Sequence, residues 1–373
     1  MLKIPTDGNK HLEFQVFDFD NGQSTGNLRA NNLQLDLSIA YNLQLPTNGI
    51  NHDGYKVYIL YSNRFNKEND IFQIIDKAQN KRIGWVYPIQ SIISLQHDQA
   101  QNKHFLNYSF AAFCNLLSGN FNIENGFNHL KSAPFPFPDE PLQLNDVFSD
   151  DLIIACLSKS TLPQDFDFEM YLLSLYEQGY YFNRKPNRVS VEKIIERPKV
   201  TLSIYPICQA LKDDFYIKEI FRNYLLDSSN ELFRFHLLYQ IIELFIDKIF
   251  DSEFQKLVVK NYQPREFSEK INRLSNESHR ISVLFNQYTY IDRLLVYDFK
   301  VVLNDFLSHF QLKKGNIWEG LYKARNIMVH KYREAIELRK PIVTINDMFE
   351  EIIIEAILSY KDKIVTDEEV EIA

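Results

Sequence analysis

The sequence has few of the residues on which the common ligand-binding motifs depend. It contains 11 glycines in 373 residues, and no G-x-x-x-x-G-K-[ST] or G-x-G-x-x-G string occurs, which argues against an ATPase or a Rossmann-type enzyme. Its three cysteines are far apart and odd in number, so they form neither a disulfide framework nor a CxxC metal site. The nine histidines show no metal-ligand spacing. We therefore expect no metal and no other cofactor.

Long apolar runs are also missing. No stretch of about 18 uncharged apolar residues occurs, which is the length that a membrane-spanning helix needs. The opening sequence, MLKIPTDGNKHLEF, lacks the apolar region of a signal peptide. We expect a cytoplasmic protein that makes no contact with a membrane.

What the sequence does contain is material for a large core. Apolar residues make up 45% of the chain and aromatic residues 14%, a composition typical of globular proteins and not of disordered ones. A domain usually spans about 100–200 residues, so a chain of this length predicts two domains.

The two halves of the chain differ in pattern. The first half contains short strand-like segments, such as LEFQVFDFD, YKVYILYS and RIGWVYPIQSII, separated by Asn/Gly/Asp turns, together with a helical segment over 103–117. From about Ile217 the pattern becomes helical, with helices predicted at 217–226, 230–251, 265–286, 290–311, 316–339 and 345–362. The predicted fold class is α+β, with a β-rich N-terminal domain (1–210) that includes some helix, followed by an all-α helical bundle (211–373).

Charge is distributed unevenly along the chain. The formal net charge is −8, which argues against a protein that coats nucleic acid through an overall positive field. Residues 311–340 nevertheless contain eight Lys or Arg and three Glu, a net of +5. Such an island is expected of a local anion-binding face, although surface helices also carry runs of this kind by chance.

Within that island the segment YKARNIMVHKY carries an unusual group of polar residues. On a helical projection Arg325 falls near the middle of an apolar arc, where an unpaired guanidinium is costly to bury. Asn326 and His330 share a side just off that arc, where Arg333 also falls. The structural alternative is a snorkelling arginine, a solvated asparagine and a surface histidine. The functional one is a phosphodiester site with Arg325, Asn326 and His330 as catalytic residues and Lys323, Lys331 and Arg333 as substrate-binding residues.

A second helix carries a possible partner for the arginine. In ELFRFHLLYQIIELFIDKIF, the polar residues form one narrow strip, made of His236, Gln240, Glu243 and Asp247. The strip faces either water or the side chains of Arg325, Asn326 and His330. In the second case we expect Glu243 to hold Arg325 by a charge-assisted pair and His236 to lie near the site.

These two segments carry a family resemblance. RNIMVH has the Arg-polar-x-x-x-His form of the HEPN superfamily, and the helix ELFRFHLLYQIIELFIDKIF resembles the opening helix of HEPN domains of the ApeA-like, antiviral-defence kind. The resemblance covers the last 160 or so residues and leaves the N-terminal half unexplained.

The resemblance implies a metal-independent endoribonuclease that acts as a homodimer through its helical domain. The ribose 2'-hydroxyl would attack the adjacent phosphorus and leave a 2',3'-cyclic phosphate. It also implies a toxin or a nuclease of antiviral defence and abortive infection, with the N-terminal domain sensing a trigger. The rival expectation is a non-catalytic HEPN-like module that binds a nucleotide or a protein.

Overall fold

The computed structural model describes residues 1–6, 10–20, 24–30, 35–46, 50–62, 67–123, 129–131, 140–187, 201–260, 262–312 and 315–361. The chain divides into two compact units, one made of Met1–Pro186 and Ser190–Pro206 and the other of Asn187–Val189 and Ile207–Ala373. All described strands belong to the first unit, and the second is helical. The predicted α+β class, with a β-rich part followed by a helical part, is confirmed.

The first sheet of the N-terminal unit is an antiparallel meander of four neighbouring strands. These are β1 (Leu2–Thr6), β2 (Lys10–Asp20), β3 (Thr25–Ala30) and β4 (Asp36–Ala40). Alternate side chains are buried, as in Leu28 and Ala30 of β3 and Leu37 and Ile39 of β4. Because side chains of a strand alternate between the two faces of the sheet, this pattern gives the sheet one core face.

The second sheet has six strands in the order β10-β6-β7-β8-β5-β9. Their bounds are β5 (Tyr55–Ser62), β6 (Phe72–Asp76), β7 (Lys81–Pro88), β8 (Leu152–Ser158), β9 (Tyr180–Tyr181) and β10 (Thr201–Ile204). All pairs are antiparallel except β10 with β6. In β7, Gly84 allows a close approach to β8, because a Cβ at this position would lie 2.3 Å from the carbonyl oxygen of Cys156.

One helix of the N-terminal unit contacts both sheets. The helices of this unit are α1 (Gln90–Ile93), α2 (Lys103–Ser118), α3 (Leu144–Val147) and α4 (Leu172–Glu177). The side chain of Asn102 caps α2, which packs against β1, β2 and β3 as well as β5, β7 and β8. The strand prediction for RIGWVYPIQSII is wrong over its last residues, which form α1.

The second unit is a bundle built around one long helix. Its helices are α5 (Phe215–Glu219), α6 (Leu225–Asp227), α7 (Glu231–Val259), α8 (Pro264–Leu274), α9 (Glu277–Val283), α10 (Arg293–Ser308), α11 (Ile317–His330), α12 (Tyr332–Ile336) and α13 (Arg339–Ser359). α7 packs against α8, α9, α11 and α13, and α10 packs against α11 and α13. Two π-helical turns, Ile220–Tyr224 and Leu284–Tyr288, follow α5 and α9.

Two of the predicted helices are wrong as continuous elements. The segment predicted as one helix over 265–286 contains a break between α8 and α9, where Asn276 caps the new helix. The segment predicted as one helix over 316–339 breaks at Lys331, whose φ of −117° and ψ of 37° lie outside the helical region. The predicted break at RKPIVT is also wrong, since α13 begins at Arg339 and Pro341 lies in its first turn, where a missing N–H is tolerated.

Several predicted features lie outside the described residues. The sequence RVSVEKI at 188–194 predicts a strand, residues 132–139 a proline-rich extended segment, and the residues from Thr366 an acidic tail. The described part of the chain includes none of these residues, nor Lys313 and Lys314 of the basic island. Within the described part of the chain, no helix combines the length and the apolar character needed to cross a membrane.

Candidate active site

One face of α7 presents a row of polar and aromatic side chains towards α11. His236, Tyr239 and Glu243 recur at intervals of three and four residues, which places them on one side of the helix. Tyr239 is buried, and His236 and Glu243 are partly buried. Gln240 and Asp247, the other members of the predicted strip, are exposed.

Arg325 of α11 lies against this face and makes three contacts. Its Nη2 donates to Oε1 of Glu243 at 3.3 Å, and its Nη1 donates to Oδ1 of Asn326 at 3.2 Å. The guanidinium carbon also lies 5.6 Å from the ring centroid of Tyr239, within the range of a cation–π contact. The side chain of Arg325 is 28% exposed. A guanidinium has more N–H donors than these contacts use, so Arg325 keeps donors for an anion.

The predicted position of Arg325 on the helix is wrong in one respect. The buried residues of α11 are Trp318, Gly320, Leu321, Ala324, Ile327 and Met328, whereas Val329 is 40% exposed. The core face therefore centres on Ala324 and Leu321, with Arg325 at its edge. The predicted arc is displaced because it counts Tyr322 and Val329, which are not buried, and leaves out the buried residues Gly320, Ala324 and Ile327.

His236 is the histidine that Arg325 influences. Burial lowers the pKa of the His236 imidazole, and the positive charge of Arg325 lowers it further, whereas Glu243 acts in the opposite direction. The imidazole of His236 is thus neutral at neutral pH. A neutral imidazole beside a guanidinium is able to accept a proton or a hydrogen bond.

Two tyrosines that the sequence reasoning missed complete the surroundings. Tyr239 donates its hydroxyl hydrogen to Glu277 of α9 at 2.8 Å, and burial, followed by this bond, raises the pKa of Tyr239. Tyr216 of α5 donates to Gln240, and burial and the charge of Glu243 raise the pKa of Tyr216. The available signal was the position of Tyr239, which is three residues after His236 on the polar face of α7.

His330 lies at the last residue of α11 and is exposed. At about 100° per residue, the side chains of Arg325 and His330 leave the helix about 140° apart. Within the part of the chain that the structure describes, the side chain of His330 makes no hydrogen bond or ion pair. The expected convergence of Asn326, His330 and Arg333 on one rim is wrong, because Arg333 belongs to α12 beyond the break at Lys331.

The predicted substrate-binding cations lie at separate places on this surface. Nζ of Lys323 is 2.9 Å from Oε1 of Glu319 on the same helix. Nζ of Lys331 is 3.7 Å from Oε2 of Glu334 and 5.7 Å from the ring centroid of Phe310. Arg333 is exposed. The structure therefore gathers His236, Tyr239, Glu243, Arg325 and Asn326 into one cluster, which we call the Arg325 cluster, and leaves His330 and the three cations outside it.

Metal binding and similarity to known proteins complete the description of the site. Among the residues that the structure describes, no group of three or more His, Cys, Asp or Glu side chains is placed to hold a metal ion. Comparison of the chain with protein-family models, with curated proteins and with solved structures found no match.

Proposed function

We propose that the protein is a metal-independent endoribonuclease of the HEPN type that acts as a homodimer. It cleaves RNA through attack of the ribose 2'-hydroxyl and leaves 2',3'-cyclic phosphate ends. The observation that carries the proposal is the Arg325 cluster, in which Glu243 and Asn326 hold a partly exposed guanidinium that keeps donors for an anion. A phosphodiester is an anion that accepts hydrogen bonds from a guanidinium, and it is the anion expected for a chain with the Arg-polar-x-x-x-His motif.

Each residue of the proposed site has its own role in the reaction. A neutral imidazole of His330 removes the proton from the 2'-hydroxyl as the oxygen attacks phosphorus, and the bond from phosphorus to the 5'-oxygen breaks. The protonated imidazole returns the proton to the departing 5'-oxygen. Arg325 stabilises the additional negative charge on the phosphoryl oxygens, and Asn326 orients the guanidinium or a phosphate oxygen. Glu243 and His236 orient Arg325 and the substrate.

The positions of Arg325 and His330 in one chain are the reason to propose a dimer. Arg325 and His330 are five residues apart, which separates them by about 7.5 Å along the helix axis in addition to their divergent directions. One copy therefore does not bring both groups to a single phosphate. In a two-fold dimer that pairs the exposed ends of α11, Arg325 of one copy acts with His330 of the other.

Mixing two inactive variants tests both the chemistry and the dimer. We expect Arg325→Ala and His330→Ala each to abolish cleavage of RNA, while His309→Ala, which changes another exposed histidine at a helix end, leaves it intact. A mixture of the two inactive variants should regain activity, because a mixed dimer contains one intact pair of Arg325 and His330. Substrate with 2'-deoxyribose at the cut position should survive, and EDTA should have no effect.

Three results would contradict the proposal. Cleavage at the parental rate by either single variant would remove the residue from the mechanism. Loss of activity in His236→Ala with full activity in His330→Ala would move the catalytic histidine into the Arg325 cluster. Strict dependence on added magnesium would replace the proposed chemistry with a metal-assisted one.

A second candidate function is a non-catalytic module that binds a nucleotide or a protein. The observation in its favour is the separation of His330 from Arg325 within one chain, because binding of a phosphate requires the arginine alone. Binding of a nucleotide that depends on Arg325 but not on His330, without any cleavage of RNA, would favour this candidate.

The biological role belongs to the same proposal. A cytoplasmic toxin or a nuclease of antiviral defence requires restraint until a trigger arrives, and the β-rich N-terminal unit is the part available for sensing it. We expect expression of the wild-type chain to arrest growth of a bacterial host and expression of Arg325→Ala to leave growth unaffected.

A further inference from the structure

A cavity of about 460 Å³ lies in the helical unit, away from the Arg325 cluster. It is formed by the π-helical turn after α9, Ile291 in the connection that follows, the first half of α10 and the start of α11. Its volume is within the range of about 300–1,000 Å³ that small-molecule pockets occupy. Nothing in the proposed reaction uses it.

Two stacked aromatic rings form part of the wall. Phe285 and Trp318 lie with ring centroids 3.9 Å apart and planes inclined by 14°. Both are nearly buried, at 6% and 4% exposure, so they are fixed by packing. They give the cavity a rigid apolar surface.

The side formed by α10 carries an exposed aromatic ring between two cations. Arg293, Tyr297 and Lys300 recur at intervals of four and three residues and therefore share one face of the helix. Tyr297 is 64% exposed, which is a large apolar area to leave in water. Within the described residues, Arg293 and Lys300 make no ion pair, and no carboxylate lines the cavity.

Two asparagine amides complete the lining with complementary hydrogen-bonding groups. Asn316 accepts the backbone N–H of Trp318 through Oδ1, which leaves its NH2 group as a donor. Asn286 donates through Nδ2 to Oγ of Ser282, which leaves its Oδ1 as an acceptor. A donor and an acceptor at one cavity are able to bond to the edge of a nucleobase.

We propose that this cavity binds a nucleotide of a single-stranded RNA, with the base stacked on Tyr297 and the flanking phosphates held by Arg293 and Lys300. Alternating cationic and aromatic side chains are the usual means by which proteins hold single strands. The lack of lining carboxylates favours a polyanion over a basic peptide, and the exposed ring favours a planar partner over inorganic phosphate.

The cavity and the proposed cutting site share α11. The cavity lies at the start of that helix and His330 at its end, about 20 Å away along the axis. A strand several nucleotides long is needed to reach both. The inference, which rests on the proposed function for the choice of RNA as ligand, makes the cavity a second contact for the substrate strand.

Binding is tested with a fluorescent 2'-O-methyl oligoribonucleotide of about twelve residues, which has no free 2'-hydroxyl and is not cut by the proposed chemistry. We expect Tyr297→Leu and Lys300→Glu each to weaken binding by about ten-fold, as loss of a base stack or a phosphate contact does. Tyr297→Trp should retain affinity. Arg265→Glu, which reverses a charge on the exposed face of α8, should leave affinity close to that of the wild type.

Three outcomes would overturn the inference. Equal affinity of Tyr297→Leu, Lys300→Glu and wild type would remove the cavity as a binding site. An equal loss in Arg265→Glu would show that only overall charge matters. Adenosine monophosphate that binds as tightly as the oligonucleotide, through Tyr297, would make the ligand a free nucleotide and not a strand.

The result also separates this inference from the proposed function. A protein that binds the oligonucleotide through Tyr297 but never cuts RNA would defeat the nuclease and leave the cavity assignment intact. A protein that cuts RNA with the same KM after Tyr297→Leu would do the reverse. All the substituted side chains are exposed, so unfolding is not expected to obscure either answer.

Discussion

Substitution by alanine should cost much more stability at Arg234 than at Arg325, two arginines of the helical unit. Arg234 of α7 is only 4% exposed and meets three carboxylates. Its Nε and Nη2 donate to Glu350 at 3.1 and 2.8 Å, and its Nη1 donates to Asp347 at 2.7 Å and to Glu231 at 3.3 Å. Arg325, in contrast, has one ion pair and is 28% exposed.

The expected losses of stability follow from these contacts. Removal of Arg234 leaves Glu231 and Glu350 nearly buried without their cation, which costs about 3–5 kcal/mol. Removal of Arg325 gives up a partly exposed pair worth about 0.2–1 kcal/mol and a cation–π contact worth about 0.5–1 kcal/mol. At about 2–4 °C per kcal/mol for a unit of this size, the melting temperature should fall by about 6–20 °C for Arg234→Ala and by a few degrees for Arg325→Ala.

Thermal melts followed by the helical circular-dichroism signal measure the two variants side by side, and RNA cleavage below the transition gives the functional half of the comparison. Arg325→Ala should be folded and inactive. If Arg325→Ala lost as much stability as Arg234→Ala, Arg325 would be a structural residue, and the argument that it is held for an anion would be refuted.

Two further predictions concern the pKa of His236 and the packing of the second sheet. Arg325→Ala should raise the pKa of His236, because a neighbouring positive charge disfavours protonation. The pKa should stay below 6.5, because the imidazole remains partly buried. Glu243→Gln should lower the pKa of His236, because a neighbouring negative charge is lost. Titration of the His236 imidazole resonance by NMR measures both shifts, and a shift of the same sign in the two variants would contradict the placement of His236. Gly84→Ala should lower the free energy of unfolding by about 2–3 kcal/mol, since the added methyl group meets the backbone of β8 at 2.3 Å. A Gly84→Ala protein with unchanged urea unfolding would show that β7 and β8 move apart without cost.

Sequence periodicity was sufficient where one element presents one repeating pattern. YKVYILYS forms β5, whose β-branched and aromatic residues are buried on both faces, and the apolar-rich segment after the cap Asn102 forms α2. The order of the strands did not follow from the sequence, and neither did the parallel pairing of β10 with β6, because these depend on contacts between distant segments.

The candidate site shows where such reasoning fails. The apolar residues after Lys331 continue the period of α11, so the pattern does not indicate the break there. Small residues such as Gly320 and Ala324 give little hydrophobic signal, so the projection centres on Arg325 although the buried face centres on Ala324 and Leu321. The contact between Arg325 and Tyr239 depends on how α7 and α11 pack, which a single helix does not encode.

The distribution of carboxylates along α7 is the reason to regard Arg325 as a binding residue. At the start of the helix Arg234 is surrounded by Glu231, Asp347 and Glu350, so its charge is fully met and an additional anion would be repelled. Two turns or more further along, Glu243 is the carboxylate that meets Arg325 among the described residues, through a 3.3 Å hydrogen bond. An arginine is thus neutralised where α7 packs against α13, and another keeps spare donors where α7 packs against α11. Since a guanidinium does not shed its proton, the spare donors of Arg325 remain available to a phosphate at any physiological pH.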